Sequence, residues 1–509
     1  MTVRRAPALL AIAGLLVLAG VANRGHGARQ ADNRDRGRVR LDQPIAAPMA
    51  VAAPSGALSS TWYCAGGTAA KGSDANTVVV VVNPGSRALD AEITVISDSG
   101  RSRTRQVTVP PHSRVRTELR AILTARYAAA LIEVRGGGVA VEREATGPVG
   151  YSAAPCASNS SDRWYLAAGS TLRGADEYLA LFNPYPDDTS VDMTFATEQG
   201  PRSPRRLQAF PVPGRSLRVV HLNSSRVNRH SPLAVQIVAR SGRLVVDRLQ
   251  VFNGSGDALG SPTGGGLRTA APRGLNVSTA VARPADWWVF PAGRKFRGAR
   301  EQVVVFNPSG RDAAVDVGVV LDSPRRNGEL DPFPMSIPPH DVKVLDLTDQ
   351  DTMPDDVDHS ITVRSRNGVP VVAEQILMSG DPSERVGATM GAGSTLEAAR
   401  WLFASGGVTS RTSEQLVVQN LSGRRVSVDV RVLGGFPLLD DPRLRGIEVP
   451  GNGRTTIDLD RLRRPTLPVE LRGSGPIVAQ RAVYRIGRPG ISIALGVPLP
   501  EGARVPQQR

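Results

Sequence analysis

The sequence is poor in the residues that most often do chemistry. In 509 residues it has two cysteines and six histidines, and only Lys71, Lys295 and Lys343 as lysines. No Cys-x-x-Cys or His-x-x-x-His pair occurs, so a dedicated zinc site finds no ligands at its usual spacing. There is neither a Gly-x-Ser-x-Gly elbow nor a phosphate loop ending in Gly-Lys-Ser/Thr, which removes the commonest signatures of a serine hydrolase and a nucleotide-binding enzyme. Aromatics are 4% of the chain. Beyond residue 22 no apolar run is long enough to cross a bilayer, which excludes a bundle of membrane helices. These shortages point away from an enzyme, and the sequence calls for no cofactor.

What the chain does have is repetition. Trp62, Trp164, Trp288 and Trp401 each open a stretch that reaches an asparagine about 20 residues later: Asn83, Asn183, Asn307 and Asn420. Each asparagine is followed by a turn, Val109-Pro110, Val212-Pro213, Ile337-Pro338 and Val449-Pro450. A leucine then stands at Leu119, Leu222, Leu347 and Leu459. Landmarks recurring in fixed order report repeated modules. Within each copy the apolar residues alternate with polar ones, as in Ala91-Glu92-Ile93-Thr94-Val95, which is the period of a half-buried strand. The continuous run Val78 to Val82 reads as a central strand ended by Asn-Pro, since proline cannot continue a ladder. About seven short strands per copy predict an all-β protein of four tandem antiparallel β-sandwich modules, Ig-like or jelly-roll-like. The boundaries are 58–161, 162–282, 283–399 and 400–502, with a polar tail at 503–509.

The amino-terminal region reads differently. Arg4 and Arg5 precede an apolar stretch from Ala6 to Ala22, a signal peptide or a membrane anchor over 1–22. Residues 23–57 lack periodicity and read as a flexible linker. Export places the modules on the extracellular face of the cytoplasmic membrane or outside the cell. Cys64 and Cys156, near the two ends of the first module, fit that compartment as a disulfide; two unrelated buried thiols are the alternative. The charge of +15 is spread over turns and strands rather than gathered in a block. It therefore suits cell-envelope polymers, an anionic membrane surface or other envelope proteins better than nucleic acid.

The Trp62-x-x-Ala-Gly segment and its counterparts, Asn-Pro after a Val-rich strand, the Val-Pro turn and the Val371-Val372-Ala373-Glu374 strand resemble the sensory-rhodopsin-transducer type of β-sandwich. The whole chain is similar to an actinobacterial family of exported proteins of unknown function built from such repeats. The resemblance covers about residues 59–500 and implies a fold and partner binding rather than an activity. The fourth copy departs from the pattern at Leu421 and Gln480.

The remaining candidates have plain structural readings beside chemical ones. His112 and His340 follow Pro-Pro pairs and read as turn residues, near the places held by Gly214 and Gly451. Glu142, Asp247 and Glu374 recur on one strand; in separate modules they would lie far apart, each in a local salt bridge such as those to Arg143 or Arg248. The four tryptophans read as core, with a sugar-stacking platform as the alternative. The Gly254–Gly266 stretch reads as an exposed loop. The leading expectation is a non-catalytic exported scaffold or interaction protein of the cell envelope. A carbohydrate-binding array at the cell wall is the second, and an unrecognised hydrolase the third.

Overall fold

In the computed structural model, the structure describes residues 48–255, 273–296, 298–322, 328, 330–380, 385–434, 439 and 441–506. The amino-terminal signal or anchor, most of the linker and most of the Gly254–Gly266 stretch lie outside the described residues. Residues 47–509 form one compact unit. Among the described residues the protein is all-β, with only short 3-10 turns besides its strands.

The first module sets the pattern. Its strands are β1 (Ser60–Cys64), β2 (Asn76–Asn83), β3 (Leu89–Ser97), β4 (Ser102–Val109), β5 (Ser113–Glu118), β6 (Ala128–Val134), β7 (Ala140–Gly147) and β8 (Gly150–Pro155). They form two antiparallel sheets, β1-β6-β3-β4 and β5-β2-β7-β8. The Val78–Val82 run is central, paired with β5 on one side and β7 on the other, which is why both of its faces are apolar. β3 alternates buried and half-buried residues because only one of its faces meets the core. The other three modules repeat this two-sheet plan; in the fourth, one long strand, Val469–Arg485, serves both sheets.

The repeated landmarks each have a structural job. Asn83 donates from Nδ2 to the carbonyls of Arg87 (2.7 Å) and Val109 (3.2 Å) and accepts at Oδ1 from the Gly85 N–H (2.9 Å). Asn183, Asn307 and Asn420 make the same three kinds of bond. One side chain thus closes its own turn and ties it to the Val-Pro turn. The residue two after that proline has positive φ in every copy: His112, Arg215, His340 and Asn452. The histidines therefore align with Arg215 and Asn452, one place beyond the glycines expected from sequence. Trp62, Trp288 and Trp401 are fully buried and Trp164 nearly so. Three of the indoles donate to a carbonyl: those of Leu244 and Val371, just before the penultimate strand, and that of Ile477, within the long strand of the fourth module.

The residue after each tryptophan pairs with the end of its own module: Tyr63 with Ala157, Tyr165 with Val281, Val289 with Ser394, Leu402 with Val497. This brings the two ends of a module together, and Cys64 and Cys156 are joined there in a disulfide across 92 residues.

The modules do not trail one another as separate beads. β8 packs against Arg273–Thr279 of the second module, that strand against Gly387–Ala392 of the third, and that one against Ile491–Leu495 of the fourth. The fourth returns to β8. Four homologous edge strands therefore close a ring around a common axis. Glycine permits the approach: a Cβ on Gly150 would lie 2.5 Å from the Leu275 nitrogen, and one on Gly387 2.6 Å from the Ile491 nitrogen. Hydroxyls two residues on fasten it. Ser152 Oγ accepts from the Val277 N–H (3.0 Å), Thr389 Oγ1 from the Ile493 N–H (3.1 Å) and Ser492 Oγ from the Ala153 N–H (2.9 Å).

The expected linker over 23–57 is corrected at its end. Val51 and Ala52 are buried, and the segment bonds to every module or its connection. Pro48 O accepts from the Ala282 N–H (3.1 Å), Met49 Sδ from the Ser394 hydroxyl (3.3 Å) and Ser158 Oγ from the Val51 N–H (3.0 Å). The Ala52 N–H donates to Pro498 O (3.0 Å). Apolar side chains and spare backbone groups make this strap part of the ring.

Candidate functional site

Two features distinguish the ring from its parts: the seams between modules and the space on the axis. Each seam is built from adjacent residues on the penultimate strand, Glu142-Arg143, Asp247-Arg248, Glu374-Gln375 and Gln480-Arg481, all buried. The first of each pair reaches back to the preceding module, to the backbone N–H four residues after its tryptophan. Gly66 donates to Asp247 (2.6 Å), Ala168 to Glu374 (3.0 Å), Ala292 to Gln480 (2.8 Å) and Ser405 to Glu142 (2.8 Å). The second reaches forward. Arg143 bonds Asp247 (2.7 Å), Arg248 bonds Glu374 (2.9 Å) and Arg481 bonds Glu142 (2.8 Å).

The expected local salt bridges are thus corrected. Glu142, Asp247 and Glu374 each pair with an arginine of a different module, because strand alternation points the acid and its neighbouring arginine toward opposite seams. The third-to-fourth seam carries no such pair. There Gln375 donates to Ala292 O (2.8 Å) and Glu301 (2.5 Å), while Gln480 accepts from the Ala292 N–H. Arg454 crosses this seam instead, to Pro291 O (3.2 Å) and Asp322 (3.0 Å).

Behind the seams stands a second buried acid that the sequence reading missed, six residues before the turn asparagine: Glu177, Glu301 and Glu414, with Thr77 in the first copy. The recurrence at fixed distance from the asparagine was the available signal. Burial pushes the Glu177 carboxyl up to about 8 and that of Glu414 up to about 7; Arg248 and Arg481 beside them pull the other way. Arg248 is already committed to Glu374 and Ala168 O, so it cannot fully compensate Glu177. Glu301 faces His359 at 2.9 Å.

On the axis the final strands leave a well of about 110 Å³. Ala153, Val277, Met390, Ile493 and Leu495 line it, and Met49 of the strap stands among them. Among the described residues no group of three or more His, Cys, Asp or Glu is placed to hold a metal, and no helix is long and apolar enough to cross a membrane. What the arrangement does physically is hold four sandwiches rigid: breaking a buried, hydrogen-bonded ion pair costs about 3–5 kcal/mol.

Residues 140–261 match the model of a family of unknown function (DUF5719), from the Glu142-Arg143 strand through most of the second module. No curated protein matches. Among solved structures the chain is similar to the Anabaena sensory rhodopsin transducer, 19% identical, covering 18% of this chain and 88% of that one with a TM-score of 0.16. It is also similar to Thermotoga maritima 1070, 23% identical, covering 22% and 94% with a TM-score of 0.19. A tetra-tandem repeat from the extending region of a large adhesion protein is 9% identical and covers 82% and 93% with a TM-score of 0.08. So low a likeness carries no argument, and what stands is a ring of four sandwiches whose second module carries a family signature with no function attached.

Proposed function

We propose that the protein is a non-catalytic, exported scaffold of the cell envelope that presents a rigid four-module ring to anionic partners. The observation that carries this reading is a division of charge. The seam arginines are buried and committed inward, whereas Arg101, Arg103 and Arg105 on and beside edge strand β4, and Arg461 and Arg463 in the fourth module, are exposed. Exposed cations on a rigid frame attract an anionic surface without demanding a shaped pocket. The Cys64–Cys156 disulfide supports an oxidising compartment outside the cytoplasm. The four repeated indoles are buried and so offer a carbohydrate-binding array no repeated stacking platform, which favours the scaffold reading.

The test is co-sedimentation of the full-length protein with anionic and zwitterionic vesicles and with a polyanionic wall glycan. Binding to the anionic samples is expected to fall severalfold between low and physiological salt. It should weaken further in the Arg101→Gln, Arg103→Gln, Arg105→Gln triple variant. Binding indifferent to salt and to these substitutions would remove the proposal.

A further inference from the structure

We propose that copies of this protein associate head to tail, the acidic loop of the third module docking on the arginine edge of the first module of the next copy. The partner is a second copy of this chain rather than an envelope surface. The inference therefore goes beyond the function proposed above, although it shares the β4 edge with it.

The four modules differ in charge at one equivalent place, the loop that follows Leu119, Leu222, Leu347 or Leu459. Residues 119–127 carry Arg120 and Arg126, and residues 222–232 carry Arg226 and Arg229, with no acid in either loop. Residues 459–468 carry Arg461, Arg463 and Arg464 against Asp460. Residues 347–357 invert the pattern, with Asp349, Asp351, Asp355 and Asp356 and no lysine or arginine. The nearby segment 322–332 does not cancel this, since by sequence Asp322, Glu329 and Asp331 outnumber Arg325 and Arg326. All four loop aspartates are exposed. Among them Asp355 pairs with Lys295 at 3.3 Å. Lys295 also donates to Met353 O (3.0 Å), and Met353 is buried. The loop is thus pinned from within while Asp349, Asp351 and Asp356 stay at the surface.

The first module supplies the complement. Arg116 and Arg120 are paired with Glu144 and Glu118, but Arg101, Arg103, Arg105 and Arg126 are exposed without an acid partner among the described residues. Arg101 donates to Thr124 O (2.9 Å) and Arg105 to Ala121 O (2.5 Å). A carbonyl fixes such a side chain without neutralising it. Alternate residues of a strand stand about 7 Å apart on one face, so these three arginines form a comb. It lies on β4, the end strand of its sheet.

Position decides the partner. The modules touch in the order first, second, third, fourth and first again, which puts the first and third across the axis from each other. Both patches also lie away from the axis. Residues 119–127 follow β5, at the far end of its sheet from β8, and 347–357 follow Asp341–Asp346, at the far end from Gly387–Ala392. One copy cannot join its own two patches, and two copies cannot join both at once. Unlike patches on opposite sides make a heterologous contact that continues in a line. Opposite charges across it steer the encounter and fix the register. The acidic loop gives a chain of net charge +15 a place at which it attracts another.

The experiment is sedimentation velocity of the full-length protein over a concentration series, in a non-ionic detergent that keeps the amino-terminal apolar stretch from associating by itself. The unsubstituted protein is expected to self-associate. Raising the salt from about 0.1 M to about 1 M shortens the Debye length from ~10 Å to ~3 Å and should weaken association by about tenfold or more. The double variant Asp349→Lys, Asp351→Lys makes both patches basic; the triple variant Arg101→Glu, Arg103→Glu, Arg105→Glu makes both acidic. Each alone should stay monomeric. Mixed in equal amounts the two should associate again, because each then offers the charge that the other lacks. If circular dichroism shows the triple variant unfolded, Arg103→Glu, Arg126→Glu replaces it and leaves both carbonyl bonds in place. The aspartate variant should still bind anionic vesicles, which separates this contact from the envelope reading. A monomeric unsubstituted protein, association indifferent to salt and to both variants, or a mixture no more associated than its parts would each overturn the proposal, whether or not vesicles bind.

Discussion

The second-to-third and third-to-fourth seams occupy equivalent places in the ring and solve the same problem differently. One is ionic: Arg248 and Glu374 are buried together around the Ala168 peptide. At the other the equivalent place is neutral: Gln375 and Gln480 bracket the Ala292 peptide, and the ion pair that crosses this seam, Arg454 with Asp322, lies apart from them. The cation and the acid have both gone, although they belong to different modules. An arginine at the place of Gln375 alone would meet Gln480 instead of a seam acid, with only Glu301, already facing His359, beside it; a glutamate at the place of Gln480 alone would bury an anion beside Gln375. Either costs more than losing the pair. Seam residues must therefore change in facing couples.

The largest effect expected is from removing half of the ionic couple. Arg248→Ala leaves Glu374 buried without its cation and should cost about 3–5 kcal/mol, against about 1 kcal/mol for Gln375→Ala at the neutral seam. Denaturant unfolding of both variants checks the contrast, and equal losses would mean that the charges contribute nothing special. Next is a double-mutant cycle. Gln480→Glu alone should destabilise by about 2–3 kcal/mol, and adding Gln375→Arg should recover most of that, giving a coupling of at least about 1 kcal/mol. Simple additivity would show that these residues do not sense each other.

The smallest effect is on pH dependence. The Glu177 carboxyl sits at about 8 in the folded protein, above its ordinary value of 4.5. The folded state therefore holds a proton that the unfolded state releases between those values. Stability must fall as pH rises through that window, with the penalty complete above about 8. Glu177→Gln should lessen the slope, leaving the part due to Glu414, whose carboxyl is also raised, and gain on the order of 1–3 kcal/mol at about pH 9 relative to the unsubstituted protein. A slope unchanged by the substitution would assign the pH dependence to other groups.

How much of this was readable in the chain follows from what each residue touches. Trp62, Asn83 and Val109-Pro110 act within one module, so their spacing survives in every copy and the sandwich is legible from it. The sheets, their central Val78–Val82 strand and the adjacency of Cys64 and Cys156 come from the same local logic. The seams were not legible, because Arg143 and Glu142 serve different neighbours and the partner of Glu142 lies 339 residues away. One trace existed: arginine is missing in the third copy and acid in the fourth, a staggered loss that makes sense only if each copy faces the next. Gly150, Gly274 and Gly387 left a second trace, since a glycine opening an otherwise apolar strand marks a backbone approached by another. The well was invisible because its walls are ordinary strand residues until four strands meet.

Closure of the fourth module onto the first also has a consequence for biogenesis. As the polypeptide is made, the first sandwich can fold while Glu142 and the open edge of Gly150–Pro155 still wait for Arg481 and Ser492, hundreds of residues downstream. Until synthesis reaches them, the nascent product carries an unneutralised acid and a bare strand edge, which invite misassembly and proteolysis. A prematurely terminated copy would keep both, since only the last sandwich supplies Arg481 to Glu142 and Ser492 to the Ala153 N–H.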